Sequence, residues 1–182
     1  RDVPGENKAG LSGQEISRLP LETCQTMNGM WGYKVSDTNY KSSAQLIRLL
    51  ARTAAKGANL LLNVGPQPDG SLPETALARL KEMGEWLRAN GEAIYATEGC
   101  EWAAGDTVVC TKNADALFIH LLSENVDAVT GIPLAKKPKS VTVLTSGEKL
   151  PFTFKNGTLS MRRGDNDASR AASCADLVLK VR

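Results

Sequence analysis

Two periodicities divide the chain. Between Leu21 and Asn90 the apolar positions form short runs and helical stripes, and beyond about Thr97 they alternate in twos. Leu21 to Met27 reads as a short strand, followed by a turn at Asn28-Gly29 that carries Met30, Trp31 and Tyr33. Ser42 or Ser43 can cap a helix with Leu46, Ile47, Leu50 and Ala54 on one face, Arg48, Arg52 and Lys56 on another, and Gly57 as its end. Leu60, Leu61, Leu62 and Val64 form a nearly unbroken apolar run, the pattern of a parallel strand buried on both faces by flanking helices. Ser71-Leu72-Pro73-Glu74 has the spacing of a capping box with proline in the first turn. It predicts a helix to Asn90 with Ala76, Leu80, Met83 and Leu87 inward and Gly91 as a left-handed stop.

The second half predicts strands at Thr107 to Thr111, Ala116 to Leu122, Ser140 to Leu144, Leu150 to Phe154, Thr158 to Met161 and Asp176 to Val181. In the last of these Leu177, Leu179 and Val181 face a core and Lys180 faces water. Asn156-Gly157 between two runs is a hairpin signal. The expectation is an antiparallel sandwich of about six to eight strands appended to the helical region. Arg1 to Pro20 has no sustained period and reads as a long loop.

Two β/α units cannot close a sheet or cover both faces of the Leu60 to Val64 run, so the reading requires further strands from other polypeptide. In a β/α barrel, catalytic groups lie on the loops after the strands. That rule selects Met27 to Tyr33 and Asn63 to Asp69, with Arg1 to Pro20 joining them if it follows an earlier strand.

Composition narrows the classes. The 182 residues are 42% hydrophobic, which suits ordinary globular cores. The 22 basic residues nearly balance the 20 acidic ones and form no stripe, which argues against a nucleic-acid partner. No apolar run approaches the ~20 residues of a membrane-spanning helix. Arg1 stands where a leader or initiator Met would, which fits a fragment, a processed form or a trimmed chain. Cys24, Cys100, Cys110 and Cys174 lack metal or redox spacing, so neither metal nor cofactor is expected. Cys100 and Cys110 can be bridged if they flank one turn, whereas Cys24 reads as a small buried apolar residue.

Carboxylates are the candidate chemistry. Glu6 lies in the loop segment DVPGEN, Glu15 lies in the same loop, and Glu22 lies within a predicted strand, where a carboxylate needs a partner. Each has an ordinary alternative: a solvated loop charge for Glu6 and Glu15, a buried structural partner for Glu22. Trp31 and Tyr33 offer apolar ring faces to a sugar or to a core. Asn63 interrupts an apolar run and either binds a ligand or fixes a neighbouring loop. His120, the only histidine, alternates with Phe118 and Leu122 and reads as structural.

The segments LPLETC, MWGYK, KGANLLLNVGP, PDG and GEWLRANGEAIY together resemble the α-L-fucosidases of glycoside hydrolase family 29. The resemblance covers residues 1 to about 97 well and the remainder loosely. It implies α/β plus all-β architecture: the last β/α units of a TIM-like barrel in residues 1–97, then a C-terminal antiparallel β-sandwich in residues 98–182. It also implies a retaining hydrolase that removes terminal α-L-fucose by double displacement, with a fucosylated glycan or glycoside as substrate. In that family the Asp nucleophile and the fucose-gripping histidines come from earlier strands, with no counterpart here. The N-terminal barrel portion of the same enzyme is thus an implied partner, and self-association into a homo-oligomer is left open. The general acid sits on a variable loop ahead of the E-T-C strand, which matches Glu6, with Glu22 of the strand motif as second choice. Trp31 matches an aromatic bordering the fucose pocket. A secreted or periplasmic location follows from the resemblance. The alternative is a non-catalytic carbohydrate-binding or structural sandwich module, which exposed aromatics on residues 98–182 would favour.

Overall fold

The computed structural model describes residues 21–102, 105–163 and 175–182. Glu6, Glu15, the Arg1 to Pro20 loop and Cys174 fall outside these. The first half is strand β1 (Leu21–Thr26), helix α1 (Ser43–Ala55), strand β2 (Ala58–Asn63) and helix α2 (Glu74–Asn90), closed by a 3-10 turn at Gly91–Ala93. β1 and β2 pair in parallel with Leu21 opposite Ala58 and Thr26 opposite Asn63. Such a pair needs a crossover connection, and α1 is contained in it.

α1 begins at Ser42, whose hydroxyl accepts from the Gln45 backbone while the Gln45 side chain accepts from the Ser42 N–H. The box expected at Ser71 does not form. The Ser71 hydroxyl and N–H both donate to Asp69 Oδ1 instead, and α2 starts after Pro73 without a side-chain cap. Nor is Gly91 a left-handed stop. At φ −59° it continues the chain into the 3-10 turn, and a side chain there would meet the Tyr95 ring at 2.9 Å.

Both helices lie on one side of the two strands. Leu46 and Ile47 of α1, Ala76 and Met83 of α2 and Met27 after β1 are buried together, with Leu62, Val64 and Trp86 packed against them. Alternation sends Leu21, Thr23 and Gln25 into this layer and turns Glu22, Cys24 and Thr26 to the opposite face. The register puts Asn59, Leu61 and Asn63 beside them, and Leu61 keeps 51% of its surface. β2 is therefore covered on one face rather than two. Leu77 and Leu80 of α2 are also exposed, so the inward stripe runs through Ala76, Met83 and Trp86 rather than Leu80.

The second half contains strands β3 (Glu98–Gly99), β4 (Val108–Lys112), β5 (Leu117–Leu121), β6 (Ala128–Pro133), β7 (Val141–Val143), β8 (Phe152–Lys155), β9 (Thr158–Arg162) and β10 (Leu177–Val181). They form a five-stranded sheet ordered β3-β4-β5-β10-β7 and a three-stranded sheet ordered β6-β9-β8, antiparallel throughout. Val108, Ile119, Leu121 and Leu179 of the larger sheet share one core with Val129, Ile132, Leu159 and Met161 of the smaller, which makes this a β-sandwich. Asn156 (φ 50°) and Gly157 (φ 75°) turn the β8–β9 hairpin in the left-handed region that such a turn demands. β6 was not visible in the sequence pattern: Gly131 and Pro133 interrupt it, and its pairing with β9 shifts register between Val129 and Ile132.

The sandwich is fastened to the helices by polar contacts as well as apolar ones. Arg48 donates to the Ala175 carbonyl at 2.8 Å and Arg52 to that of Asp106 at 3.0 Å, so this basic stripe is a structural clasp. Lys180 does not face open water. Its ammonium pairs with Glu92 and lies 5.7 Å from the Phe118 ring centroid. β3 and β4 bring Cys100 opposite Cys110, and the two form a disulfide with their Cα atoms 5.4 Å apart. Cys24 is half-buried. No helix among the described residues is long and apolar enough to cross a membrane.

Candidate functional site

The carboxyl ends of β1 and β2 meet under one loop, Met27 to Tyr33. Met27 is fully buried and its N–H donates to the Asn63 carbonyl at 3.0 Å, extending the parallel ladder by one residue. Beyond it the chain turns outward, and Met30, Trp31 and Tyr33 are exposed by 46%, 47% and 38%. Three large apolar side chains are thus exposed on the loop at the carboxyl ends of the two parallel strands.

Polar groups beneath them set the loop's path. Asn63 Nδ2 donates to the Trp31 carbonyl at 2.6 Å, and the Thr26 hydroxyl donates to the Met30 carbonyl at 2.8 Å. Asn28, 8% exposed, donates to Asp37 Oδ2 at 3.1 Å, and Asp37 Oδ1 accepts from the Asn39 backbone. Lys41 reaches back to the Thr26 carbonyl at 2.5 Å. Asn63, a candidate substrate contact, is therefore engaged with the Trp31 backbone.

Glu22 is elsewhere. It is exposed and sits at the amino end of β1, on the same face as Thr26 but four residues earlier, roughly 13 Å along an extended strand. The structure brings Trp31, Tyr33 and Asn63 together and does not bring Glu22 to them. The alternating burial of β1 could have assigned its face from the sequence. Its remoteness could have been read from its position second in the strand.

The loop after β2 is built around Asp69. Its carboxyl is held below the usual 3.8, first by the Ser71 hydroxyl and then by the Ser71 N–H. Both bonds favour the ionised form. Among the described residues no cluster of histidine, cysteine or carboxylate side chains could hold a metal ion.

His120 belongs to the sandwich. It is fully buried, its Nδ1 lies 2.6 Å from Asp176 Oδ2, and its Nε2 lies 3.1 Å from Thr111 Oγ1. The Thr111 hydroxyl has one hydrogen, committed at 2.6 Å to the Ala93 carbonyl. With that hydrogen committed, Thr111 Oγ1 faces Nε2 as an acceptor, and Nδ1 is held against the Asp176 carboxyl. The structural reading of His120 holds. Its partner acid lies 56 residues away in sequence.

The sequence model for the family described as Alpha-L-fucosidase matches residues 6–92. An alpha-L-fucosidase of Branchiostoma floridae is 34% identical over 153 residues, covering 79% of this chain and 34% of the relative. The tissue alpha-L-fucosidase of Mus musculus is 36% identical over 158 residues, covering 81% of this chain and 32% of the relative. Among solved structures, the Thermotoga maritima alpha-fucosidase in complex with fucose superposes with a TM-score of 0.78 at 27% identity, over 92% of this chain and 41% of that one. The chain spans between 32% and 41% of the length of these three proteins.

Proposed function

The chain belongs to the alpha-L-fucosidase family, and from that premise we propose that it forms one wall of the pocket of a retaining α-L-fucosidase. The parallel β1–β2 pair is the closing part of a β/α barrel in residues 1–97, and residues 98–182 are the supporting sandwich domain. The observation that carries this reading is the uncovered face of β1 and β2, with Leu61 half-exposed on it and Trp31 and Tyr33 at its carboxyl end. A parallel sheet is stable when both faces are covered. Further barrel strands, supplied by an N-terminal portion of the same enzyme, cover this one.

In the proposed reaction an Asp of that portion attacks the anomeric carbon, and the glycosidic oxygen leaves with a proton from a carboxylic acid. That acid, now a carboxylate, takes a proton from the water that releases fucose. We assign the acid to Glu6. Glu22 is disfavoured by its distance from the strand ends that carry Trp31. Trp31 and Tyr33 supply ring faces to the C–H side of the sugar, and Asn63 serves the pocket through the Trp31 loop. The substrate is a terminally fucosylated glycan. The Cys100–Cys110 disulfide supports an oxidising location, secreted or periplasmic.

The alternative of a glycan-binding sandwich loses its main support. Phe118 is buried, Trp102, Phe152 and Phe154 pack against the sandwich core, and every exposed large apolar side chain among the described residues lies at or before Tyr95. The test is hydrolysis of an aryl α-L-fucoside. The chain alone is expected to be inert, and the chain joined to a barrel portion carrying the nucleophile is expected to turn over. Turnover by the chain alone would refute the division of labour.

A further inference from the structure

The side chains at the strand ends and the backbone that carries them are held by different residues. Met30, Trp31 and Tyr33 are all exposed by more than a third, and an apolar loop of that kind would ordinarily collapse against the nearest core. Here the carbonyls of Met30 and Trp31 are each bonded by a side chain rooted in a strand, Thr26 of β1 and Asn63 of β2. Two residues past Asn63, Gly65 is buried against the same loop. A Cβ on it would lie 2.6 Å from the Tyr33 nitrogen and 2.7 Å from the Gly32 carbonyl carbon. Both are backbone atoms, so the close approach depends on glycine.

We propose that Asn63, with Thr26 and Gly65, is a positioning device that fixes the Met30–Tyr33 backbone so that Trp31 meets the sugar as a preformed wall. Asn63 does not touch the substrate. Its amide N–H is committed to the Trp31 carbonyl, and the parallel pairing of Thr26 with Asn63 sets the two grips side by side. Asp37 supports the far side of the loop through Asn28, itself buried. A wall fixed before binding spares the ordering cost that a mobile aromatic loop would incur on contact with ligand. Binding is weakened, and kcat falls as well, when a positioning contact of this kind is lost. The inference rests on the reading of Trp31 as part of the fucose pocket.

The test has two arms. In the ligand-free full-length enzyme, amide hydrogen exchange of residues 29–35 is compared between wild type, Asn63→Asp and Thr26→Val. Asn63→Asp keeps the shape but replaces the donor with a carboxylate oxygen facing a carbonyl, and Thr26→Val removes only the hydroxyl. Both should accelerate exchange in this loop and leave α1 and the sandwich unchanged, which separates a local release from a failure to fold. In the full-length enzyme, kcat/KM for an aryl α-L-fucoside is measured for Asn63→Asp, Trp31→Ala and the double variant. Each single change should cost about tenfold to a hundredfold, and the double should cost little more than Trp31→Ala alone. Unchanged exchange in residues 29–35, or losses that multiply in the double variant, would overturn the proposal. Accelerated exchange with unaltered turnover in all three variants would uphold the positioning device and refute the pocket reading of Trp31.

Discussion

Asp176→Ala should be among the most destabilising single changes in the sandwich. The carboxylate and the His120 imidazole have no exposed side-chain surface and stand 2.6 Å apart. The imidazole is held at both ring nitrogens, by Thr111 Oγ1 at Nε2 and by Asp176 Oδ2 at Nδ1. Removing the carboxyl leaves the ring nitrogen Nδ1 without its hydrogen-bond partner in a dry interior. Leaving a buried polar group unpaired costs about 1–3 kcal/mol, a sizeable share of the ~5–15 kcal/mol that holds a domain folded. The loss should spread beyond the sandwich, since the neighbouring carbonyls of Ala175 and Asp176 accept from Arg48 and Trp86 of the helices. The assay is urea denaturation followed by far-UV circular dichroism, with His120→Leu and the double variant completing a cycle. Each single should lower the midpoint strongly, and the double should fall short of the sum by about 1–3 kcal/mol. A cost for Asp176→Ala below about 1 kcal/mol, or strict additivity, would refute the buried-pair account.

Three further outcomes follow from local geometry. Gly65→Ala should cost about 1–3 kcal/mol and lower the melting temperature, because its new methyl must displace backbone at Gly32 and Tyr33 rather than a flexible side-chain end. An unchanged melting temperature would contradict the close approach. Opening the Cys100–Cys110 bridge by a Cys100→Ser/Cys110→Ser pair should cost about 2–3 kcal/mol by chain entropy for a separation of 10 residues, checked by denaturation with and without reductant. Wild type should respond to reductant, and the double variant should not. For Asp69, the lowered carboxyl value means that its bonds to Ser71 stabilise the fold above the unfolded value near 3.8 and are lost as pH falls through the folded one. Asp69→Asn should therefore melt slightly below wild type at neutral pH, and the two should converge in acid; a gap that widens on acidification would reverse the sign.

The sequence made the local parts of this fold readable and left the long-range ones hidden. The α1 cap, the β8–β9 turn and the six strands predicted in the second half lie in patterns spanning a few residues, where alternation and turn chemistry suffice. The misreadings arise where one local signal competes with another. Ser71 was available to Glu74 by spacing, but Asp69, two residues away, takes both its hydroxyl and its N–H. β6 was concealed because its glycine and proline are loop residues in isolation, whereas in context Gly131 falls in a register irregularity and Pro133 ends the strand opposite Thr158. Arg48 and Arg52 mark a second helix face in the sequence, yet their acceptors are 127 and 54 residues away. The same holds for His120, whose acid follows it by 56 residues. In the candidate site, the bulky loop after β1 was legible, but the grip on its backbone was not, because carbonyls carry no letter in a sequence.

The central claim is that catalysis occurs at the carboxyl ends of β1 and β2, with Glu6 rather than Glu22 as the proton donor. Full-length enzyme carrying Glu6→Ala or Glu22→Ala should be assayed on aryl α-L-fucosides of graded leaving-group pKa. The account predicts that Glu6→Ala loses about 10²–10⁴-fold on a poor leaving group such as phenol and far less on dinitrophenol, while Glu22→Ala is indifferent to the leaving group. The steep dependence appearing in Glu22→Ala and not in Glu6→Ala would contradict it.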